Sequence, residues 1–121
     1  MGKTALVVDD NPAIRRAISS AFLSSGFKAC VVAEDGRQGV EAAKQIRPDV
    51  ITLDLSMPVM NGLEAASEMR KIFPHVPIIL FTLFGDNLSK TDASKAGVTV
   101  VLLKTMPLST LIDKANELMD S

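Results

Sequence analysis

An open α/β sheet with parallel strands and helices on both faces is the fold class this chain predicts, and two observations predict it. Short apolar runs alternate with amphipathic segments five times along 121 residues, and most of those runs lack the polar alternation of a strand with one face in water. A third observation concerns function. Charged residues follow three of the runs: Asp9 and Asp10 the first, Asp54 the third and Lys104 the fifth. In a sheet of this kind the carboxyl ends of the strands form the crevice that binds ligands.

The strand candidates are Thr4–Val8, Lys28–Ala33, Val50–Leu53, Pro77–Thr82 and Val98–Leu103. All but the second read as covered on both faces. Asn11 and Pro12 supply an N-cap followed by the residue best suited to the first helical turn, and Ile14, Ile18 and Phe22 repeat at helical spacing before Gly26. Asp35 caps a second helix whose inward face is Val40, Ala43 and Ile46, stopped by Arg47 and Pro48. A third helix follows Asn61 and Gly62, with Leu63, Ala66, Met69 and Phe73 on one side. The segment Ser89–Ala96 carries only a weak apolar stripe. The last helix, with Pro107, Leu108, Leu111, Ile112, Ala115, Leu118 and Met119, has the strongest amphipathic pattern in the chain. Five strand–helix repeats imply right-handed crossovers and a two-sided sheet.

A chain of this length fits one domain, expected over residues 3–121, that buries about two-thirds of its unfolded surface. Hydrophobic residues make up 47% and charged residues 22%, the profile of a folded domain. A net charge of -1 offers no basis for nonspecific binding to nucleic acid. No apolar run is long enough to span a membrane, and no signal-peptide core precedes the first strand, so the expected location is the cytoplasm. Cys30, the single cysteine, excludes an intramolecular disulfide and reads as a small buried hydrophobe. An effector domain, if the protein carries one, is expected outside these residues.

Carboxylates gathered at one sheet edge repel one another, and a cation among them lowers that cost. Mg²⁺ suits hard oxygen ligands and uses few carboxylates, whereas one His and one Cys are too few for a zinc centre.

Leu6-Val7-Val8-Asp9-Asp10-Asn11, the segment Asp54-Leu55-Ser56-Met57-Pro58-Val59-Met60-Asn61-Gly62, Thr82 and Lys104 together resemble the receiver domain of two-component response regulators, of the chemotaxis-regulator kind. The likeness covers essentially the whole chain. It implies a flavodoxin-like, doubly wound sheet of five parallel strands in the order 2-1-3-4-5 with five helices. It further implies a switch rather than an enzyme, with self-catalysed phosphotransfer and autodephosphorylation. Asp54 would accept the phosphoryl group from a sensor histidine kinase or a histidine phosphotransfer protein. Asp10 would hold Mg²⁺ directly, Asp9 mainly through water, and Asp54 and the backbone carbonyl of Ser56 would supply further oxygens. Lys104 and Thr82 would contact the phosphoryl oxygens, and Thr82 would carry the change to the face of the fourth helix, fifth strand and fifth helix. That face is also where the resemblance implies a homodimer can form. Neither nucleic acid nor membrane is an expected direct partner of the domain.

Three positions depart from the family pattern. Thr105 stands after Lys104 where proline is usual, and a cis bond there is not expected, since a non-proline cis peptide costs about 2.5–4 kcal/mol. Val101 replaces the usual switch aromatic with a stiff, short side chain. Leu83, followed by Phe84, brings bulk next to Thr82. These departures favour one competing reading, an interaction module that signals without phosphorylation. A phosphatase with an aspartate nucleophile needs an acid two residues on, where this chain has Ser56. A flavin carrier needs a phosphate cradle after the first strand and an aromatic to stack on the flavin; the chain has Asp-Asp-Asn-Pro there, and neither Trp nor Tyr.

Overall fold

Apolar residues alternate along the strands in a way that sorts them between two helical layers. In the computed structural model, which describes residues 2–83 and 88–120, β1 (Thr4–Val8), β2 (Ala29–Ala33), β3 (Val50–Leu53), β4 (Ile78–Thr82) and β5 (Val100–Leu103) form one parallel sheet in the order β2-β1-β3-β4-β5. The helices are α1 (Pro12–Ser24), α2 (Gly36–Ile46), α3 (Gly62–Ile72), α4 (Lys90–Lys95) and α5 (Leu108–Met119). Ser121, the last residue of the expected domain, lies outside the described residues.

Ala5, Val7, Val50, Ile79, Phe81 and Leu102 point to the layer of α1 and α5, where they meet Ile18, Phe22, Leu111, Ile112 and Ala115. Phe22 and Phe27 pack edge to face there, with centroids 4.8 Å apart. Leu6, Val8, Ile51, Leu53, Ile78 and Leu80 point the other way, to Val40 and Ala43 of α2 and Ala65, Ala66 and Met69 of α3. Period-two alternation thus gives every central strand two buried faces.

The helix starts follow the expected chemistry. Asn11 accepts from the amides of Ala13 and Ile14, and Asp35 accepts from that of Gln38. Asn61 and Glu64 form a reciprocal capping box at α3. α4 is short, capped by Ser89 and buried only at Ala93, in keeping with its weak stripe. β5, expected to be covered on both faces, is only partly buried at three of its four residues, because it is an edge strand and α4 is too short to cover it. Cys30 is half-buried rather than buried, since β2 is the opposite edge; its burial still pushes the thiol pKa up. Among the described residues every peptide is trans, Lys104–Thr105 included, and no helix is long and apolar enough to cross a membrane.

Candidate functional site

The strand order determines which side chains can meet. β1 and β3 are neighbours with Val8 opposite Leu53, so the next residues, Asp9 and Asp54, leave the sheet side by side. The amide of Asp54 donates to the Val8 carbonyl at 2.9 Å and that of Asp9 to Ala33 at 3.1 Å, which fixes both backbones. Lys104 leaves β5 two strands from Asp54, a separation of about 10 Å at the usual strand spacing, which only a long side chain can cross. It crosses: its Nζ lies 2.7 Å from Asp9 Oδ2 and 3.2 Å from Asp54 Oδ1.

Asp9 and Asp54 are buried and Asp10 is exposed, yet oxygen atoms of all three carboxylates fall within 4.8 Å of one another. Burial raises the Asp54 pKa; Lys104 opposes the rise, and repulsion from Asp9 and Asp10 adds to it. Three acids against one amine leave the site short of positive charge. A hard divalent cation fits that shortage, and the exposed Asp10 gives it a solvent-facing ligand.

Asp10, Asn11, Ile14, Asp54, Ser56, Leu83 and Lys104 line an open cleft of about 240 Å³. Leu83 borders it with its side chain largely in solvent. Thr82 is buried at the end of β4, opposite Leu103, and its carbonyl accepts from the Lys104 amide, but its side chain is not part of the cleft lining. Val101 lies away from the cleft, in a groove of about 370 Å³ between α4 and β5. Phe84 falls outside the described residues.

Gly62 has a reason that the motif alone does not reveal. The first turn of α3 rests against the main chain at Asp54, where a β-carbon on residue 62 would overlap the Asp54 carbonyl oxygen. The glycine therefore lets α3 begin directly beneath the acid. Sequence reasoning missed Arg15, whose Nη1 donates to the Asp9 carbonyl at 2.8 Å. It also missed Arg70, which spans the carbonyls of Phe73, Val76 and Gly97 and ties α3 to the turn before β5. In sequence neither arginine differs from an ordinary helix-surface cation.

Comparison with known proteins agrees with this geometry. The family model of the response regulator receiver domain matches residues 5–116. The chain is 33% identical to the chemotaxis protein CheY of Thermotoga maritima over 117 residues, covering 97% of this chain and 98% of that one. Among solved structures it resembles chemotaxis protein CheY4 of Vibrio cholerae, with a TM-score of 0.88 and 29% identity over 98% of this chain and 99% of the other. It resembles equally the receiver domain of a sensor histidine kinase from Pseudomonas aeruginosa PAO1, with a TM-score of 0.89 and 28% identity over the whole of both chains; that structure has a magnesium ion coordinated in its active-site cleft. With its 2-1-3-4-5 sheet and its acids gathered at the strand ends, this chain belongs to the response regulator receiver domain family, of the chemotaxis-regulator-like kind, and is a signalling domain of two-component systems.

Proposed function

We propose that the domain, over residues 3–121, is a phosphorylation-dependent switch in which Asp54 takes a phosphoryl group from a phosphohistidine on a sensor kinase or phosphotransfer protein in the cytoplasm. The observation that carries this reading is the convergence of Asp9, Asp10 and Asp54 with Lys104 on one open cleft. An Asp54 carboxylate oxygen attacks phosphorus, the phosphorus–nitrogen bond breaks, and the imidazole leaves with a proton; an acyl phosphate remains on Asp54. Asp10, Asp54 and the Ser56 carbonyl would hold Mg²⁺, with Asp9 acting mainly through water. When bound, the ion offsets charge on the transferring group. Lys104 is already beside Asp54 and would pair with phosphoryl oxygens, a charge-assisted contact. Thr82 would move toward the phosphate and pass the change to the face of α4, β5 and α5, which would also serve as the homodimer contact. Hydrolysis of the acyl phosphate by water returns the resting carboxylate.

Signalling without phosphorylation is the weaker reading. Val101, Thr105 and Leu83 depart from the family pattern, but all lie outside the four charged groups that the chemistry uses. Incubation with acetyl phosphate and Mg²⁺ followed by intact-mass measurement tests the proposal. One phosphoryl group should add to the wild type and none to Asp54→Asn or to a sample treated with chelator. A wild type that stays unlabelled, or an Asp54→Asn variant labelled as well as wild type, would refute the Asp54 assignment.

A further inference from the structure

One peptide bond joins the two acids at the end of β1, and every polar group of Asp9 has a partner. The Asp9 amide donates to Ala33; its carboxylate accepts from the Asn11 amide at 2.9 Å and pairs with Lys104. Its carbonyl accepts from Arg15. Asp10, by contrast, is exposed, and its carboxylate accepts no hydrogen bond from any described residue. The Asp9 carbonyl and the Asp10 amide share one rigid plane, so the hydrogen bond from Arg15 sets the direction in which the chain enters Asp10. Arg15 itself does not line the cleft. It lies in a separate groove with Val32, Ala33, Glu34 and Gln38, behind the turn.

We infer that Arg15 is a positioning residue for the divalent cation: through the Asp9 carbonyl it holds the Asp9–Asp10 peptide so that the Asp10 carboxylate faces the cleft. This rests on the reading of Asp10 as a metal ligand. The inference has a sign that charge alone cannot produce. A guanidinium held on the Asp9 carbonyl repels a dication bound beyond it, so an electrostatic role predicts tighter Mg²⁺ binding once the charge is gone. Positioning predicts weaker binding, because partners that orient ligands contribute about tenfold or more to metal affinity.

The test is calorimetric titration with Mg²⁺ of wild type, Arg15→Met and Arg15→Lys, each checked for folding by a melting curve. Arg15→Met should bind about tenfold more weakly. Arg15→Lys keeps the charge and one donor but loses the planar fork, and should fall between the two. In metal-free samples the Asp10 amide signal should broaden or shift in Arg15→Met while signals from β4 stay in place, a local change that general destabilisation does not produce. Arg15→Met binding Mg²⁺ as tightly as wild type, or more tightly, overturns the inference. Should Arg15→Met not fold, Arg15→Lys decides alone: intermediate affinity supports positioning, and wild-type affinity overturns it. Failure of the wild type to bind Mg²⁺ is a separate result, which removes the metal assignment and this inference with it.

Discussion

Removing the charge of Asp54 should stabilise the metal-free domain. Asp54 lies 3.2 Å from the Lys104 ammonium and within 4.8 Å of both Asp9 and Asp10. Lys104, through its charge and its hydrogen bond, attracts the Asp54 carboxylate more than Asp9 and the exposed Asp10 together repel it, so the net cost of keeping Asp54 ionised is set first by its burial. Asp54→Asn keeps the shape, and Lys104 keeps Asp9 as its partner at 2.7 Å. For 121 residues the entropy of unfolding is about 0.25 kcal/mol/K, so each ~1 kcal/mol of burial cost that the neutral amide relieves raises the melting temperature by about 4 °C. The pH dependence has a definite sign. Because the Asp54 pKa is raised above its ordinary 3.8, the folded protein holds its proton after the unfolded chain has released it. Wild-type stability therefore falls as pH rises through that window and levels off above it, and the advantage of Asp54→Asn opens over the same range. Thermal melts of both proteins in chelator, from pH 4 to pH 8, provide the assay. An Asp54→Asn variant that melts at or below the wild type near pH 7, or a gap that shrinks as pH rises, would refute this account of the site.

Three further outcomes are expected. Asp10→Ala should lose most of the stabilisation that Mg²⁺ gives the wild type while melting higher in chelator, and an equal Mg²⁺ shift in both proteins would contradict the ligand role. Gly62→Ala should cost about 2–3 kcal/mol in denaturant unfolding and slow labelling by acetyl phosphate, because the added methyl meets the main chain of Asp54, which cannot move without moving the acid. Leu83→Ala should shorten the lifetime of the acyl phosphate: Leu83 borders the cleft, and misplacing an attacking water by about 1 Å can cost roughly 10²-fold in rate; an equal or longer lifetime would mean that the leucine does not obstruct water.

Elements were legible where one physical signal dominated. β1 and β3 end where the apolar run meets an acid, and their bounds match the reading residue for residue. The edges were harder. Lys28 and Pro77 read as strand, yet β2 begins at Ala29 and β4 at Ile78; Lys28 still donates to the Lys3 carbonyl, so the ladder frays one residue before it ends. Val98 reads as strand and belongs to the turn after α4, where its amide donates to Ala93 and the neighbouring Gly97 has a φ of 91°. Val59 was unremarkable as a letter between Pro58 and Met60. It adopts a φ of 69°, a conformation unfavourable for a β-branched residue, with its side chain 80% exposed, so packing cannot be what holds it there. The strain sits in the loop that carries Ser56, where the chain must turn from the acid to the start of α3.

The site residues divide in the same manner, by whether their cost shows in one dimension. An acid or an amine at the end of a wholly apolar strand is expensive to bury unless something answers its charge, so Asp9, Asp54 and Lys104 announce one another across the sequence. Thr82 announces less: a threonine ending a β-strand is ordinary, and its side chain does not reach the cleft lining in this conformation. Arg15 announces nothing. Arg15 and Arg16 are adjacent helix residues of one type, and only the path of the chain turns one of them back onto the Asp9 carbonyl. That contact depends on α1 leaving the acid turn at a particular angle, which Asn11 sets by capping the helix and by donating its own amide to Asp9. The cap, the acid and the arginine therefore act as one unit: weakening the Asn11 cap should loosen the same peptide that Arg15 holds, and the two substitutions should combine less than additively.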